Sequence, residues 1–257
     1  MMKTMNRIKI VDQVRSKLRS GEISIGSWMQ IPNSSVAEIM GAAGYDWIAV
    51  DMEHGAVSVH QLPDLYRALE LGNTLPIARL AQGSPKDCKQ ALDAGAGGVI
   101  VPMIQTPAQL SAVKDACCWP PAGKRGVGFS RANLFGRRFE EYCEESQAPL
   151  LIAMIEHIDA VENLSDILKV EGLDAVMVGP YDLSASMGLV ASFNSPEFRV
   201  TTERIRFLCT EFGIPCGIHV VAPDREILKQ RIAEGYRFIA YSLDSVFLTS
   251  ATSAPNL

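Results

Sequence analysis

The sequence predicts an α/β protein built as one (β/α)8 TIM barrel, and three observations carry that prediction. The chain has 257 residues, a length that such barrels commonly use as a single unit. Eight short apolar runs rich in Val and Ile recur along it. Segments of helical period fill the intervals, the alternation expected of parallel strands joined by helical crossovers.

The runs lie at residues 23–29, 47–50, 76–80, 98–102, 150–155, 175–178, 214–218 and 238–241. Most are apolar on successive residues, as expected of strands covered by helices on one face and facing a closed interior on the other. Between them, Ser34 or Ser35 can cap a helix running to Ala43 ahead of Gly44, and Ser84-Pro85 starts one that stops at Gly95. Further helices are expected from about Leu62, Pro107, Ile158, Pro196 and Pro223. A long excursion, residues 119–147, contains WPPAGKRGVGFSRANLFG. Its prolines and glycines mark a shaped loop, and loops of that length in compact domains are usually functional. No linker or charge run divides the chain, so residues 1–257 are expected to form one domain with its core at about 23–248.

Composition excludes several classes. With 24 Lys plus Arg against 29 Asp plus Glu, and 47% hydrophobic residues, the chain is neither disordered nor fibrous in character. A net charge of -5 supplies no basic footprint, so nucleic acid is not an expected partner. No stretch approaches the roughly 18–20 apolar residues of a membrane helix, and the N-terminal residues lack an apolar signal core, so a cytoplasmic protein without membrane contact is expected. The six cysteines show no C-x-x-C spacing and read as reduced thiols acting as small apolar side chains.

In parallel barrels the chemistry sits at the C-terminal ends of strands, where the loops converge on one mouth. The second run leads into Asp51, Met52, Glu53, His54 and Gly55; the third ends at Arg79; the fifth leads into Glu156 and His157; the sixth into Gly179, Pro180, Tyr181 and Asp182. Glu156 and Asp182, on neighbouring strand ends, suit a hard divalent cation such as Mg2+, which takes oxygen ligands and retains waters or substrate oxygens. Either carboxylate could instead serve an ion pair or a helix cap, Asp182 standing just ahead of Leu-Ser-Ala-Ser. Arg79 follows an apolar run and needs an anionic partner, which could be substrate, Asp51 or Glu53. His54, among carboxylates at the expected mouth, can exchange protons near neutral pH. His219, placed after the seventh run, is a possible rim contact. The lysines fall in expected helices and loops, which disfavours a covalent lysine mechanism. The sequence has no P-loop, dinucleotide fingerprint or G-x-S-x-G, nor a glycine-rich phosphate cup after the last two runs.

The ordered segments GYDWIAVDMEHG, PIARL, LDAGAGGVIVPM, WPPAGKRGVG, MIEHIDAVENL, GLDAVMVGPYDLSASMG and YSLDSVFL resemble those of the class II pyruvate aldolases of the HpcH/HpaI family, the 4-hydroxy-2-oxoheptanedioate and 2-dehydro-3-deoxyglucarate aldolases, over about residues 23–248. The resemblance implies a barrel, dependent on a divalent cation (Mg2+, Mn2+ or Co2+) and on no organic cofactor, that cleaves 4-hydroxy-2-oxoacids to pyruvate and an aldehyde. It also implies a homo-oligomer, commonly a hexamer built as a trimer of dimers. It places the metal ligands at Glu156 and Asp182, the enolate-stabilising arginine at Arg79 and the proton-transfer histidine at His54. Asp93 matches an aspartate that partners this histidine across a subunit contact, and Gly179, Pro180 and Tyr181 match the loop whose amides meet the pyruvate carboxylate. Alternatives within the same chemistry are oxaloacetate decarboxylation or cleavage of a thioester-bearing acid; a non-catalytic 2-oxoacid-binding barrel is the third. The chain departs from the family pattern at Met154, where many members carry glutamine, and at Tyr181, where alanine is usual. Residues 249–257 are shorter than the terminal helix that members exchange between subunits, so a differently built dimer is expected.

Overall fold

Residues 5–254 are described by the computed structural model. Its strands are β1 (Ser24–Met29), β2 (Trp47–Asp51), β3 (Leu75–Arg79), β4 (Gly98–Val101), β5 (Leu150–Ile155), β6 (Ala175–Val178), β7 (Cys216–Val220) and β8 (Phe238–Leu243). They run parallel in chain order, and β8 pairs with β1 to close the barrel. The helices are α1 (Arg7–Arg19), α2 (Ser34–Gly41), α3 (Leu62–Leu71), α4 (Pro85–Ala94), α5 (Pro107–Cys117), α6 (Phe139–Glu145), α7 (Ile158–Glu162), α8 (Leu164–Ile167), α9 (Pro180–Ser186), α10 (Pro196–Phe212), α11 (Arg225–Ala233) and α12 (Asp244–Ala251). None of the described helices is long and apolar enough to cross a membrane.

Strand alternation divides the apolar residues into two sets. Ile48, Val50, Ala78, Val99, Val101 and Ile155 face outward under the helices, while Trp47, Ala49, Leu75, Ile77, Leu150, Ile152 and Met154 fill the interior. The same period carries upward. Asp51 lies two residues beyond Ala49, Arg79 two beyond Ile77, and Glu156 two beyond Met154, so packed apolar layers become charged at the mouth.

The opposite end is plugged. Ile10, Val11, Val14 and Leu18 of α1 pack on the lower interior layer with Trp47, Leu75, Leu150 and Phe238. Apolar residues at that spacing are the helical stripe, and the side chain of Asn6 caps the helix by accepting the Lys9 amide. Trp47 stacks on Phe238 with ring centroids 4.3 Å apart, across Gly26, where any Cβ would strike the indole. Both rings are fully buried, so truncating either to alanine costs about 3–5 kcal/mol.

Some boundaries differ from the sequence expectation. α2 is capped by Asn33, whose side chain accepts from the Ser35 and Val36 amides, and not by Ser34 or Ser35. β7 begins at Cys216, two residues later than expected, because Pro215 has no amide to give to a ladder. His219 therefore lies inside the strand and not after it. The excursion at residues 119–147 precedes β5, so it lies at the end away from the strand C-termini, and none of its residues lines the cleft described below. All six cysteines are free thiols, five of them buried.

Candidate active site

Asp51 is the hub of the mouth. It is completely buried and meets Arg79 through two parallel contacts, Nε to Oδ1 at 2.8 Å and Nη2 to Oδ2 at 2.6 Å. Gln30 Nε2 donates to Oδ2 at 2.9 Å, and the Glu53 and His54 amides donate to Oδ1 at 3.1 Å each. That last pair folds the chain back after β2, and Gly55 permits it, since a Cβ there would collide with the Asp51 carbonyl. Burial alone would raise the Asp51 carboxyl, but hydrogen bonds from Arg79, its charge and Gln30 hold it below the ordinary range.

Arg79 thus finds protein partners on two sides. Its Nη1 comes within 3.0 Å of Glu53 Oε2, a close ionic approach without hydrogen-bond alignment, since that buried oxygen has no hydrogen-bonding partner. Its guanidinium lies over the Trp28 ring at 4.2 Å. Two of its five N–H donors are committed to Asp51, and donors on Nη1 and Nη2 remain for a ligand.

Glu156 is almost fully buried, and its Oε1 accepts the Met103 amide at 2.6 Å. Burial, reinforced by the charges of Glu53 and Asp182 and opposed by the Met103 amide and Arg79, pushes its carboxyl up to about 7. Gly179 is what lets β6 end against it, because a Cβ at Gly179 would stand 2.6 Å from Glu156 Oε2. Asp182 is exposed in the first turn of α9; it is not the N-cap, a position taken by Gly179. Burial raises Glu53 as well, although Arg79 and His54 oppose it. Asp51 and Glu53 thus contact the one guanidinium, and Glu156 and Asp182 lie close enough to Glu53 for their charges to act on one another.

A cleft of about 1110 Å³ opens over this cluster. Trp28, Gln30, His54, Arg79, Met154, Glu156, Gly179, Pro180, Tyr181, Asp182 and His219 line it, and no lysine does among the described residues. A groove of similar volume, about 1120 Å³, runs along α1 at the other end. Lys17 pairs with Asp46 there at 2.6 Å, and none of the residues that follow the strand C-termini lines it.

The structure brings together His54, Arg79, Glu156, Gly179, Pro180, Tyr181 and Asp182. It narrows the role of the loop after β6. The Gly179 amide is already given to the Ile155 carbonyl at 3.2 Å and Pro180 has none, so of these three residues only Tyr181, in the first turn of α9, keeps an amide for a carboxylate. Asp93 lies at the far end of the barrel, in the last turn of α4, and pairs with buried Arg125 at 2.9 Å. One chain does not bring it to His54. Met154 faces Met177 across the β5–β6 pair, making that wall of the cleft apolar where a glutamine would be polar. The sequence reading missed Trp28 and Gln30. Gln30 is the first polar residue after β1, a position equivalent to those searched after the other strands.

The donor set fits a hard divalent ion. Glu156 and Asp182 offer two oxygen ligands, and no group of three or more His, Cys, Asp or Glu able to hold a metal exists among the described residues. Most coordination positions would fall to water or substrate oxygens, as magnesium-type ions tolerate. Glu156 is raised first by its burial and then by the charges of Glu53 and Asp182, and a cation bound there would favour the ionised carboxylate.

A family model described as HpcH/HpaI aldolase/citrate lyase matches residues 24–251. The chain is 34% identical over 244 residues to a 2-keto-3-deoxy-L-rhamnonate aldolase of Shigella boydii serotype 4 (strain Sb227), covering 94% of this chain and 91% of the relative. It is 35% identical to a hydroxypyruvate/pyruvate aldolase of Roseobacter denitrificans (strain ATCC 33942 / OCh 114), covering 91% of each. A crystal structure of an HpcH/HpaI aldolase/citrate lyase family protein from Burkholderia cenocepacia J2315 superposes with a TM-score of 0.87 at 31% identity, covering 93% of this chain and 95% of that one.

Proposed function

Since the chain belongs to the HpcH/HpaI aldolase/citrate lyase family, we propose that it reversibly cleaves a 4-hydroxy-2-oxoacid to pyruvate and an aldehyde, using one divalent cation held by Glu156 and Asp182. That it is a carbon–carbon lyase of the aldolase kind follows from its relatives. The metal and the individual roles rest on the mouth itself, and one observation carries them: buried Glu156, which no cation among the described residues contacts, lines the cleft with Asp182 beside an arginine already locked in place.

When bound, such an ion supplies an electron sink for the 2-oxo group, so that carbon–carbon cleavage does not leave a bare carbanion. Arg79, fixed by Asp51 and by the Trp28 face, presents its remaining N–H groups to the oxygen that gains negative charge. Single donors of this kind are worth about 3–4 kcal/mol. His54, exposed at the mouth, takes the proton from the C4 hydroxyl as the C3–C4 bond breaks, a proton then goes to C3 to complete pyruvate, and aldol addition runs these transfers in reverse. The Tyr181 amide contributes to holding the acid's carboxylate.

We infer that the enzyme works as a homo-oligomer, the arrangement in which Asp93 of one subunit reaches His54 of another. Supporting this, Asp93 lines a hollow of about 630 Å³ with Phe135, and the nearby excursion leaves Val127, Phe129 and Phe135 exposed. Pyruvate release coupled to lactate dehydrogenase, with and without chelator, tests the activity. Turnover that persists in the metal-stripped enzyme contradicts the proposed chemistry, and a monomer at working concentration contradicts the assembly.

A further inference from the structure

His219 is not used by the chemistry above, and Trp28 only as the surface beneath Arg79, yet both line the cleft in the interior layer directly below the charges. Their rings stack with centroids 5.4 Å apart at an interplanar angle of 27°. His219 Nε2 lies 3.1 Å from the Ser242 carbonyl oxygen. A carbonyl only accepts, so Nε2 carries the proton, and Nδ1 is left with a lone pair in the neutral ring. Burial keeps the ring neutral, lowering its pKa to about 4. Among the described residues Nδ1 has no hydrogen-bonding partner, and the buried indole Nε1–H of Trp28 has none either.

The Ser242 carbonyl is aimed by a local distortion. Gly26 of β1 pairs with Ala240 and Trp28 with Leu243, so β8 carries one extra residue across that step. Ser242, fully buried within the bulge, has φ +54, a conformation unusual for any residue but glycine. Its carbonyl turns into the barrel, where it receives both Ser27 Oγ at 3.0 Å and His219 Nε2 at 3.1 Å. A strained residue thereby fixes the tautomer of a cleft-facing histidine.

We propose that His219 recognises a hydroxyl group of the substrate, its Nδ1 accepting the hydroxyl hydrogen while Trp28 holds the ring by stacking. Of the groups that an oxoacid or a simple aldehyde can present to an unmatched acceptor, the hydroxyl is the hydrogen-bond donor. This inference rests on the aldolase reading for the kind of molecule delivered to the cleft. The hydroxyl comes from one of two sources: C3 of the oxoacid, as in hydroxypyruvate, or C2 of the aldehyde, as in glycolaldehyde.

The test uses the full chain with magnesium, as wild type, His219→Phe, which keeps the stacking ring and loses the acceptor, and His219→Gln, which restores an acceptor. Two ratios of kcat/KM are measured, hydroxypyruvate over pyruvate with one aldehyde, and glycolaldehyde over acetaldehyde with pyruvate. One ratio is expected to fall about five- to tenfold in His219→Phe and to recover in part in His219→Gln, and the ratio that falls identifies the source. Calorimetric affinities for hydroxypyruvate and pyruvate, taken in parallel, should show the same preference if the oxoacid carries the hydroxyl. Both ratios staying within twofold of wild type in variants with wild-type thermal melts overturns the proposal. Wild type that turns over no oxoacid overturns the aldolase reading and this inference with it, whereas turnover with unmoved ratios overturns this inference alone.

Discussion

The two ends of the barrel are both rich in charge and handle it differently. At the plugged end the charges balance: Arg7 with Glu145 at 2.6 Å, Arg15 with Asp174 at 2.7 Å, Arg125 with Asp93 at 2.9 Å, and Arg131 with Glu70. Those arginines tie α1 and the excursion onto the barrel. At the mouth, Asp51 and Glu53 share Arg79, while Glu156, buried and in contact with no cation among the described residues, holds its proton to about 7. Matched charge is architecture, while unmatched charge buried beside a cleft is a cost that a ligand removes.

Substitutions that break this contrast should separate activity from stability. Glu156→Gln is expected to have the largest effect, at least about 10³-fold on kcat/KM for pyruvate release, because the proposed cation site loses the charge of one of its two carboxylates. Its thermal midpoint should match or exceed that of the metal-free wild type, since the substitution removes a buried carboxylate that no cation contacts among the described residues. Arg7→Met, at the plugged end, should do the reverse. Removing one partner of a buried pair strands Glu145, a cost of about 3–5 kcal/mol in urea unfolding, with turnover per folded molecule close to wild type.

A pH series sharpens the comparison. In the metal-free chain Glu156 holds its proton up to about 7, whereas the unfolded chain releases it near the ordinary 4.5. The folded state binds more protons in that window, so this contribution to stability is fully present below 4.5 and is lost as pH rises through 7, by up to about 3 kcal/mol. His219 acts oppositely: the unfolded ring takes up a proton near 6.5 and the folded one only near 4, so stability is lost as pH falls through that range. Chemical denaturation of wild type, Glu156→Gln and His219→Phe across pH 4 to 8 should show one slope vanish in each variant. The smallest effect is expected from Gln30→Ala, which removes one hydrogen bond to Asp51 and should cost about three- to tenfold in kcat with little change in melting.

The architecture was legible because parallel strands buried on both faces are written as unbroken apolar runs, and their C-terminal ends could be searched for polar residues directly. Asp51, Arg79, Glu156 and Asp182 were found in that way. α1 was passed over although Ile10, Val11, Val14 and Leu18 carry the helical spacing, because its charged face dilutes the run. Gln30 stood at a position open to the same search, but its bond to Asp51 of β2, and the place of Trp28 beneath Arg79 of β3, depend on how the strands are assembled and not on local sequence. The boundary of β7 was misplaced by two residues, and that moved His219 from a rim loop into the wall of the cleft. The bulge that orients it has no local signature, since Ser242 occupies a conformation that a sequence usually marks with glycine.

Titration of magnesium into the metal-free chain by calorimetry, at pH 6 and pH 8, most directly tests whether Glu156 and Asp182 form a cation site. One ion per chain is expected, with about one proton released at pH 6 and almost none at pH 8, and with heats abolished in Glu156→Gln and strongly reduced in Asp182→Asn. Equal binding by wild type and both variants would show that these two carboxylates do not hold the ion.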